Sequence, residues 1–121
     1  MVHKILICDD SVSIRQMLVL TLTDAKYNVT ESKNGIEALE LANQYDFDLI
    51  ITDINMPLLD GLSLVKKLRV LIKYRFKPIL LLTTETDPEK KKQAKAAGAT
   101  GWIIKPFDPD KLLAAIRKVL R

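Results

Sequence analysis

Short runs of Ile, Leu and Val recur along the chain, and stretches with helical spacing of apolar residues separate them. Runs of this length and composition are typical of strands buried on both faces, as in a parallel sheet. The pattern predicts five strands, of which the second, over 29–32, has the weakest apolar character. The predicted strands end at Cys8, Ser32, Thr52, Leu82 and Ile104.

Helices are predicted after each strand by apolar residues three and four positions apart. The first covers about 12–25, the second opens at Asn34-Gly35, and the fourth runs from about Pro88 to Ala97 and stops at Gly98. Segment 55–61 is predicted to be a loop because of its Pro and Gly. The residues expected to face the sheet are Ile14, Met17, Leu18, Leu22 and Ala25; Ile36, Leu39 and Ala42; Leu64, Val65, Leu68 and Leu71; and Leu112, Leu113, Ile116 and Leu120.

Alternation of strand and helix over five βα units predicts a doubly wound α/β fold, with a parallel sheet between two layers of helices. The length of 121 residues is that of one ordinary domain, so we expect residues 1–121 to form it without an appended effector domain. An eight-stranded βα barrel needs about twice that length.

Composition and apolar run lengths predict a soluble, cytoplasmic protein. Hydrophobic residues make up 48% of the chain and charged residues 28%, which is close to the average of globular domains. No apolar run is long enough for a membrane span, and the first strand begins too early for a signal peptide. We therefore expect no membrane partner.

The net charge of +4 permits nucleic-acid binding. Whether it indicates such binding depends on how the basic residues are distributed along the chain. Their main predicted cluster, Lys90 to Lys92 with Lys95, follows helix-start residues and has no interleaved aromatics. This pattern indicates a solvated helix face or a contact with an acidic protein rather than a nucleic-acid site. Cys8 and His3 each stand alone, which excludes a disulfide, a Cys/His metal cluster and a Ser-His-Asp triad.

Polar residues follow four of the predicted strands: Asp9 and Asp10, Asp53, Thr83, and Lys105. Because the carboxyl ends of parallel strands share one edge of the sheet, these side chains are expected to meet there. Three carboxylates repel one another unless a cation intervenes, and Mg²⁺ suits such oxygen ligands. With Lys105 and Thr83 as phosphate ligands, the set predicts a phosphoryl-transfer site.

Each of these residues also has an ordinary structural interpretation. Asp10 or Ser11 could cap the first helix, Asp53 could be a turn residue, and Lys105 could lie on the surface. Their joint occurrence at strand ends favours the functional interpretation. No Gly-rich phosphate-binding motif follows any strand, so a nucleotide cofactor is not expected.

Four parts of the chain carry characteristic motifs: Ile7-Cys-Asp-Asp-Ser11, Asp53-Ile-Asn-Met-Pro57 with Asp60-Gly61, Leu82-Thr-Thr-Glu85, and Gly98-Ala-Thr-Gly-Trp-Ile-Ile-Lys-Pro-Phe107. These segments resemble the receiver domains of two-component response regulators, and among these the stand-alone chemotaxis regulators most. The resemblance covers essentially all 121 residues, and it implies a flavodoxin-like sheet with strand order 2-1-3-4-5.

The resemblance implies that Asp53 accepts a phosphoryl group from a histidine of a sensor kinase. Asp10, Asp53 and the backbone carbonyl of Asn55 would ligate Mg²⁺, and Asp9 would hold it through water. Lys105 would pair with the phosphate. A cis peptide bond between Lys105 and Pro106 is also implied.

Thr83 and Trp102 are implied to switch with phosphorylation, and the face formed by the fourth helix, fifth strand and fifth helix is implied to signal. The implied target is a protein such as the flagellar motor switch. Asn55 and Glu85 are implied to tune the rate of dephosphorylation, and a phosphatase partner is possible in this family. The protein is expected to be a monomer whose phosphorylated form is short-lived. Ile54 and Trp102 differ from the best-known chemotaxis regulators, which leaves motor binding open. Trp102 could instead fill the core beneath the last helix.

Two other functions remain open at this point. The chain could be a phosphate sink or phosphorelay intermediate with the same chemistry and no motor output. A Mg²⁺-dependent phosphatase of the haloacid dehalogenase type would need Asp-x-Asp-x-Thr/Val after the first strand, which Asp9-Asp10-Ser11-Val12 does not supply. We therefore predict a signalling protein that accepts a phosphoryl group on its own aspartate, rather than an enzyme that hydrolyses a phosphorylated substrate.

Overall fold

A computed structural model describes residues 2–84 and 86–120, and it contains one parallel five-stranded sheet in this range. The strand order is β2-β1-β3-β4-β5, which confirms the expected topology. Central strands are apolar on both faces because helices cover both sides of the sheet. The strands are β1 (Lys4–Cys8), β2 (Asn28–Ser32), β3 (Leu49–Thr52), β4 (Ile79–Thr83) and β5 (Gly101–Ile104).

Five α-helices alternate with the strands, and each begins with a polar side chain that accepts a hydrogen bond from a backbone N–H. These N-caps are Ser11, Asn34, Asp60, Asp87 and Asp108. Ser11, not Asp10, therefore caps the first helix. The helices are α1 (Val12–Asp24), α2 (Gly35–Gln44), α3 (Gly61–Arg69), α4 (Pro88–Ala97) and α5 (Pro109–Val119). A short 3₁₀ helix over Ile72–Tyr74, which the apolar pattern did not predict, connects α3 to β4.

Two buried clusters, one on each face of the sheet, form the core of the three-layer fold. On one face of the sheet α2, α3 and α4 pack with buried residues that include Ala38, Leu64 and Ala94, respectively. On the other face α1 and α5 pack with buried residues that include Leu18 and Leu112. The helix layers cover both faces of the sheet and leave the ends of the central strands open, and the polar strand-end residues lie at one of these ends.

Two of the residues expected to face the sheet are exposed instead: Met17 is 46% and Ile36 is 42% exposed. The start of α2 packs so closely against the loop at Leu59 that a Cβ atom at Gly35 would collide with the Leu59 carbonyl. Only a small residue fits at this contact. The close face is thus formed by Gly35 and Ala38, and Ile36 points outward. On α1 the buried stripe passes through Leu18, which places the adjacent Met17 to one side of it.

None of the described helices has the length and apolar character needed to cross a membrane. The longest is α1, with 13 residues.

Candidate functional site

Three carboxylates lie together at the carboxyl-end edge of the sheet. Asp9 follows β1 directly and Asp53 follows β3, and the two strands are neighbours in register through Cys8 and Thr52. One oxygen from each of Asp9, Asp10 and Asp53 lies within 4.8 Å of the others. Asp9 and Asp53 are buried, whereas Asp10 is exposed at the rim. The adjacent strands thus hold like charges at a separation that favours an added cation.

Lys105 brings a positive charge into this cluster. Its Nζ atom lies 2.7 Å from Oδ2 of Asp9 and 3.2 Å from Oδ2 of Asp53. Burial lowers the pKa of Lys105, but the hydrogen bond to Asp9 and the charge of Asp53 outweigh it, so the net pKa is raised. The backbone N–H of Lys105 donates to the carbonyl of Thr83 at 2.8 Å, and the Lys105-Pro106 bond is cis, as expected.

The two oxygens of Asp53 have different surroundings. Oδ1 accepts a hydrogen bond of 2.8 Å from the N–H of Ile54, whereas Oδ2 faces the Lys105 ammonium. Burial raises the pKa of Asp53 above its ordinary value, Lys105 opposes this effect, and Asp9 adds to it. The carboxylate is therefore fixed in orientation, with Oδ2 directed at the Lys105 ammonium.

Asp9 is held by contacts that the strand pattern did not reveal. Its Oδ1 accepts a 2.9 Å hydrogen bond from the N–H of Ser11, and its carbonyl accepts a 2.6 Å bond from Nη1 of Arg15. Arg15 also pairs with Glu31 at 3.3 Å. This role of Arg15 was not predicted from the sequence, because no local motif marks an arginine that reaches back across the first turn of its helix.

The loop after β3 turns back closely on the backbone of Asp53 and Ile54. The N–H of Gly61 donates to the carbonyl of Ile54 at 2.7 Å, and a Cβ atom at Gly61 would collide with the carbonyl of Asp53. Met56 turns inward, with its sulfur 3.3 Å from the sulfur of Cys8. Only glycine permits α3 to start this close to Asp53, a role that the Asp60-Gly61 pair could have indicated. Asn55 is exposed beside Asp53.

The remaining predicted site residues occupy β4, β5 and their surroundings. Thr83 is the last residue of β4 and is fully buried, and Glu85 lies outside the described residues. Trp102 pairs in register with Leu81 and packs on the α4 side of the sheet, not beneath α5. The Nζ atom of Lys91 lies 5.9 Å from the centre of its ring.

The indole N–H of Trp102 is buried and has no hydrogen-bond partner among the described residues. The indole borders a cleft of about 300 Å³ between α4 and β5, which Lys91 and Lys95 also line. A buried donor without an acceptor costs free energy, so the indole N–H is an unfavourable feature of this position. The cleft provides space next to the ring.

Comparison with known proteins agrees with this geometry. The family model of the response regulator receiver domain matches residues 5–117. The chain belongs to this family. As a receiver domain it is a module of two-component signalling, and its cluster of acidic residues could hold a metal ion.

Three relatives illustrate the range of similar receiver domains. The chemotaxis protein CheY homolog of Campylobacter jejuni is 40% identical over 119 residues, which cover 97% of this chain and 92% of that protein. The chemotaxis protein CheY4 of Vibrio cholerae has a TM-score of 0.96 and 52% identity, with 99% of this chain and 100% of that chain covered. The receiver domain of sensor histidine kinase PA1611 from Pseudomonas aeruginosa has a TM-score of 0.92 and 26% identity, covers 99% and 98%, and holds a magnesium ion in its active site cleft.

Other curated relatives are longer proteins, and the chain spans only about half of their length. These include a probable transcriptional regulator and a response regulator. Similarity to this group therefore concerns their receiver portion.

Proposed function

We propose that this receiver domain accepts a phosphoryl group on Asp53 from a phosphohistidine of a sensor kinase. The observation that carries the proposal is the environment of the Asp53 carboxylate. Its Oδ1 is fixed by the N–H of Ile54 and its Oδ2 lies 3.2 Å from the Lys105 ammonium, within a cluster of three carboxylates. A fixed nucleophile next to a cation is what phosphoryl transfer requires, because positioning and charge neutralisation supply most of its catalysis.

In the proposed reaction an oxygen of Asp53 attacks the phosphorus atom and the bond between phosphorus and the histidine nitrogen breaks. The bonding electrons remain on the imidazole nitrogen of the kinase, which takes a proton. Lys105 then exchanges its contact with the Asp53 carboxylate for contacts with phosphoryl oxygens. Its short contact with Asp9 keeps the ammonium at the site during this exchange.

The donor set fits Mg²⁺, a hard cation that prefers oxygen ligands. Asp10, Asp53 and the backbone carbonyl of Asn55 would hold it directly and Asp9 through water. Bound there, the ion would neutralise charge on the phosphoryl oxygens and relieve the repulsion among the carboxylates. The gathering of three carboxylates within 4.8 Å supports this assignment, as does the magnesium ion of the PA1611 receiver.

We further propose that Thr83 hydrogen-bonds the phosphoryl group and that Trp102 changes rotamer with it. A partner that prefers the same rotamer then binds the phosphorylated form more tightly, as reciprocal coupling requires. The surface of α4, β5 and α5, where Lys91 lies against Trp102, is the proposed signalling face. Similarity to the CheY homolog and to CheY4 supports a chemotaxis role with the flagellar motor switch as target.

We expect this receiver domain to signal in the cytoplasm as a monomer. Asn55, which is exposed next to Asp53, is proposed with Glu85 to control access of the hydrolytic water, so that intrinsic dephosphorylation takes seconds to minutes. A kinase that phosphorylates the protein, with no motor component binding the product, would indicate a phosphate sink instead.

The acceptor assignment is tested by incubation with a small phosphodonor and Mg²⁺, followed by intact mass measurement. Wild type is expected to gain one phosphoryl group, and Asp53→Ala to gain none. Asp46→Ala, which changes an exposed carboxylate at the other end of the sheet, is the matched control and should behave as wild type. An adduct that persists in Asp53→Ala would disprove the assignment.

The switch assignment uses the fluorescence of Trp102, the single tryptophan of the chain. Beryllofluoride, a mimic of the bound phosphoryl group, should change the emission of wild type, and Thr83→Ala should lose that change while still accepting phosphate. An unchanged wild-type emission would count against switching at Trp102.

A further inference from the structure

Segment 66–77, here called the basic apolar patch, combines positive charge with exposed apolar side chains. It contains six Lys or Arg residues and no Asp or Glu. Val70 is 77%, Ile72 is 82% and Phe76 is 92% exposed, which makes these three the most exposed large apolar residues apart from Leu58 among those described. Exposed apolar side chains grouped within seven residues mark an interaction site more often than single ones do.

The patch lies far from the phosphoryl-transfer site. It runs from α3 through the 3₁₀ helix to the start of β4, at the amino-terminal ends of the strands. The site lies at their carboxyl-terminal ends, and a strand of five residues separates the two edges by about 16 Å. A partner bound to the patch therefore leaves the site open to a kinase.

The patch backbone is held in place by its own residues, so its apolar side chains point outward from a rigid base. Tyr74 is buried and its hydroxyl lies 2.8 Å from the carbonyls of Ala42 and Tyr45. Arg69 donates to the carbonyls of Tyr74 and Lys77, at 2.6 Å each. Three other basic residues of the patch form no ion pair with any residue in the described ranges: Lys66, Lys67 and Arg75.

We propose that the basic apolar patch binds the surface of an anionic lipid membrane. Lysines and arginines next to protruding Phe and Ile side chains are the combination that binds peripheral proteins to such surfaces, through headgroup contacts and shallow apolar insertion. This binding needs no membrane span, so the proposal departs from the expectation of no membrane partner, which rested on the length of the apolar runs.

Two other occupants fit the patch less well. A second copy of the chain would bring two sets of uncompensated positive charge together, which is unfavourable. An acidic protein would complement the charge, but lysine, which provides four of the six basic residues, is depleted in protein interfaces. The apolar side chains also protrude, as insertion into the headgroup region of a lipid surface requires.

The proposal is tested with the unphosphorylated full chain by co-sedimentation with vesicles. One set contains only phosphatidylcholine and the other contains equal parts of phosphatidylcholine and phosphatidylglycerol. Binding is expected only to the anionic vesicles. Two variants, Ile72→Ser/Phe76→Ser and Lys66→Gln/Lys67→Gln/Arg75→Gln, should each lower the partition coefficient by about tenfold or more.

Control variants change exposed residues of the same kinds elsewhere in the protein. Met17→Ser/Leu20→Ser removes two exposed apolar side chains from α1, and Lys92→Gln/Lys111→Gln/Arg117→Gln removes three exposed charges from α4 and α5. The first control should bind anionic vesicles within about twofold of wild type. The second removes as many positive charges as the charge variant of the patch, so it should lose only the binding that depends on net charge, and clearly less than the patch variant loses. Unchanged unfolding midpoints should confirm that every variant is folded.

The proposal is overturned if the two charge variants lose binding equally, since that would show only the general attraction of a basic protein. It is also overturned if soluble polyglutamate competes fully while Ile72→Ser/Phe76→Ser binds as wild type, which would indicate an acidic protein as the partner. Asp53→Ala should bind vesicles normally. Failure of lipid binding and failure of phosphorylation are therefore separate results.

Discussion

At the carboxyl-end edge of the sheet two of the three clustered carboxylates contact one ammonium, whereas at the opposite edge one guanidinium has several acceptors. Lys105 contacts Asp9 and Asp53 in the first case. In the second, Arg69 donates to the carbonyls of Gly98, Tyr74 and Lys77. The first edge retains unfavourable interactions that a ligand can relieve, and the second satisfies its polar groups internally.

This difference indicates that one end of the strands stabilises the fold, while the other carries the proposed phosphoryl-transfer site. Substitutions at the two edges should therefore change stability in opposite directions. Removal of a charge should destabilise the protein at the Arg69 edge and stabilise it at the Asp53 edge.

The largest effect is expected for Arg69→Ala, which should lower the free energy of unfolding by about 3 kcal/mol because several charged hydrogen bonds are lost together. Its guanidinium connects the end of α3 to the end of α4 and the start of β4, through contacts that include Thr100. Urea unfolding at neutral pH measures this. Arg75→Ala, in the same segment but without a described side-chain bond, should cost less than about 0.5 kcal/mol. Equal losses in both variants would contradict the comparison.

Mg²⁺ should relieve the repulsion at the other edge. At about 100 times its dissociation constant, the ion should stabilise wild type by about 2.7 kcal/mol through mass action. Thermal unfolding with MgCl₂, compared with NaCl of equal ionic strength, measures the gain. The double variant Asp10→Asn/Asp53→Asn should show little of it, and the same gain in that variant would place the metal elsewhere.

Asp53→Asn should stabilise the metal-free protein by about 1–2 kcal/mol at neutral pH, since it replaces a buried charge by a neutral group of similar size. Burial raises the pKa of Asp53 in the folded protein above its ordinary value of 3.8. The folded state therefore takes up a proton more readily, and ionised Asp53 lowers stability at pH values above its folded pKa.

This penalty disappears as the pH falls through the folded pKa towards 3.8. The stability difference between Asp53→Asn and wild type should accordingly be largest at neutral pH and shrink on acidification, as urea unfolding at several pH values would show. Asp46→Asn, at an exposed carboxylate, should change stability by less than about 0.5 kcal/mol and with little pH dependence. A difference that grows on acidification would show that the sign is wrong.

The smallest effect is expected for Tyr74→Phe, about 1 kcal/mol of destabilisation. The buried hydroxyl of Tyr74 lies 2.8 Å from the carbonyls of both Ala42 and Tyr45. The variant removes this donor, so both carbonyls lose its hydrogen bond. Tyr45→Phe is the control, because that side chain is largely exposed. Chemical unfolding that finds the two variants equally stable would show that the Tyr74 hydroxyl contributes nothing to this edge.

The strands and the edge that carries the site could be predicted because the information is local. A buried apolar run that ends in a polar residue, as at Asp53, marks the end of a strand within five positions. Parallel strands then carry those ends to one edge whatever the details of packing. Helix starts were equally readable, since a cap such as Asp87 acts on a backbone N–H of its own first turn.

What only the tertiary structure decided involves contacts between residues far apart in sequence. Ile36 points outward because the start of α2 packs closely against Leu59. The side chain of Arg69 donates to the carbonyl of Gly98, which is 29 positions away in the sequence. Trp102 likewise packs towards α4 because its strand aligns it with Leu81. A pattern within one element indicates which residues are apolar or charged, but which of them meet is determined by the packing of elements against one another.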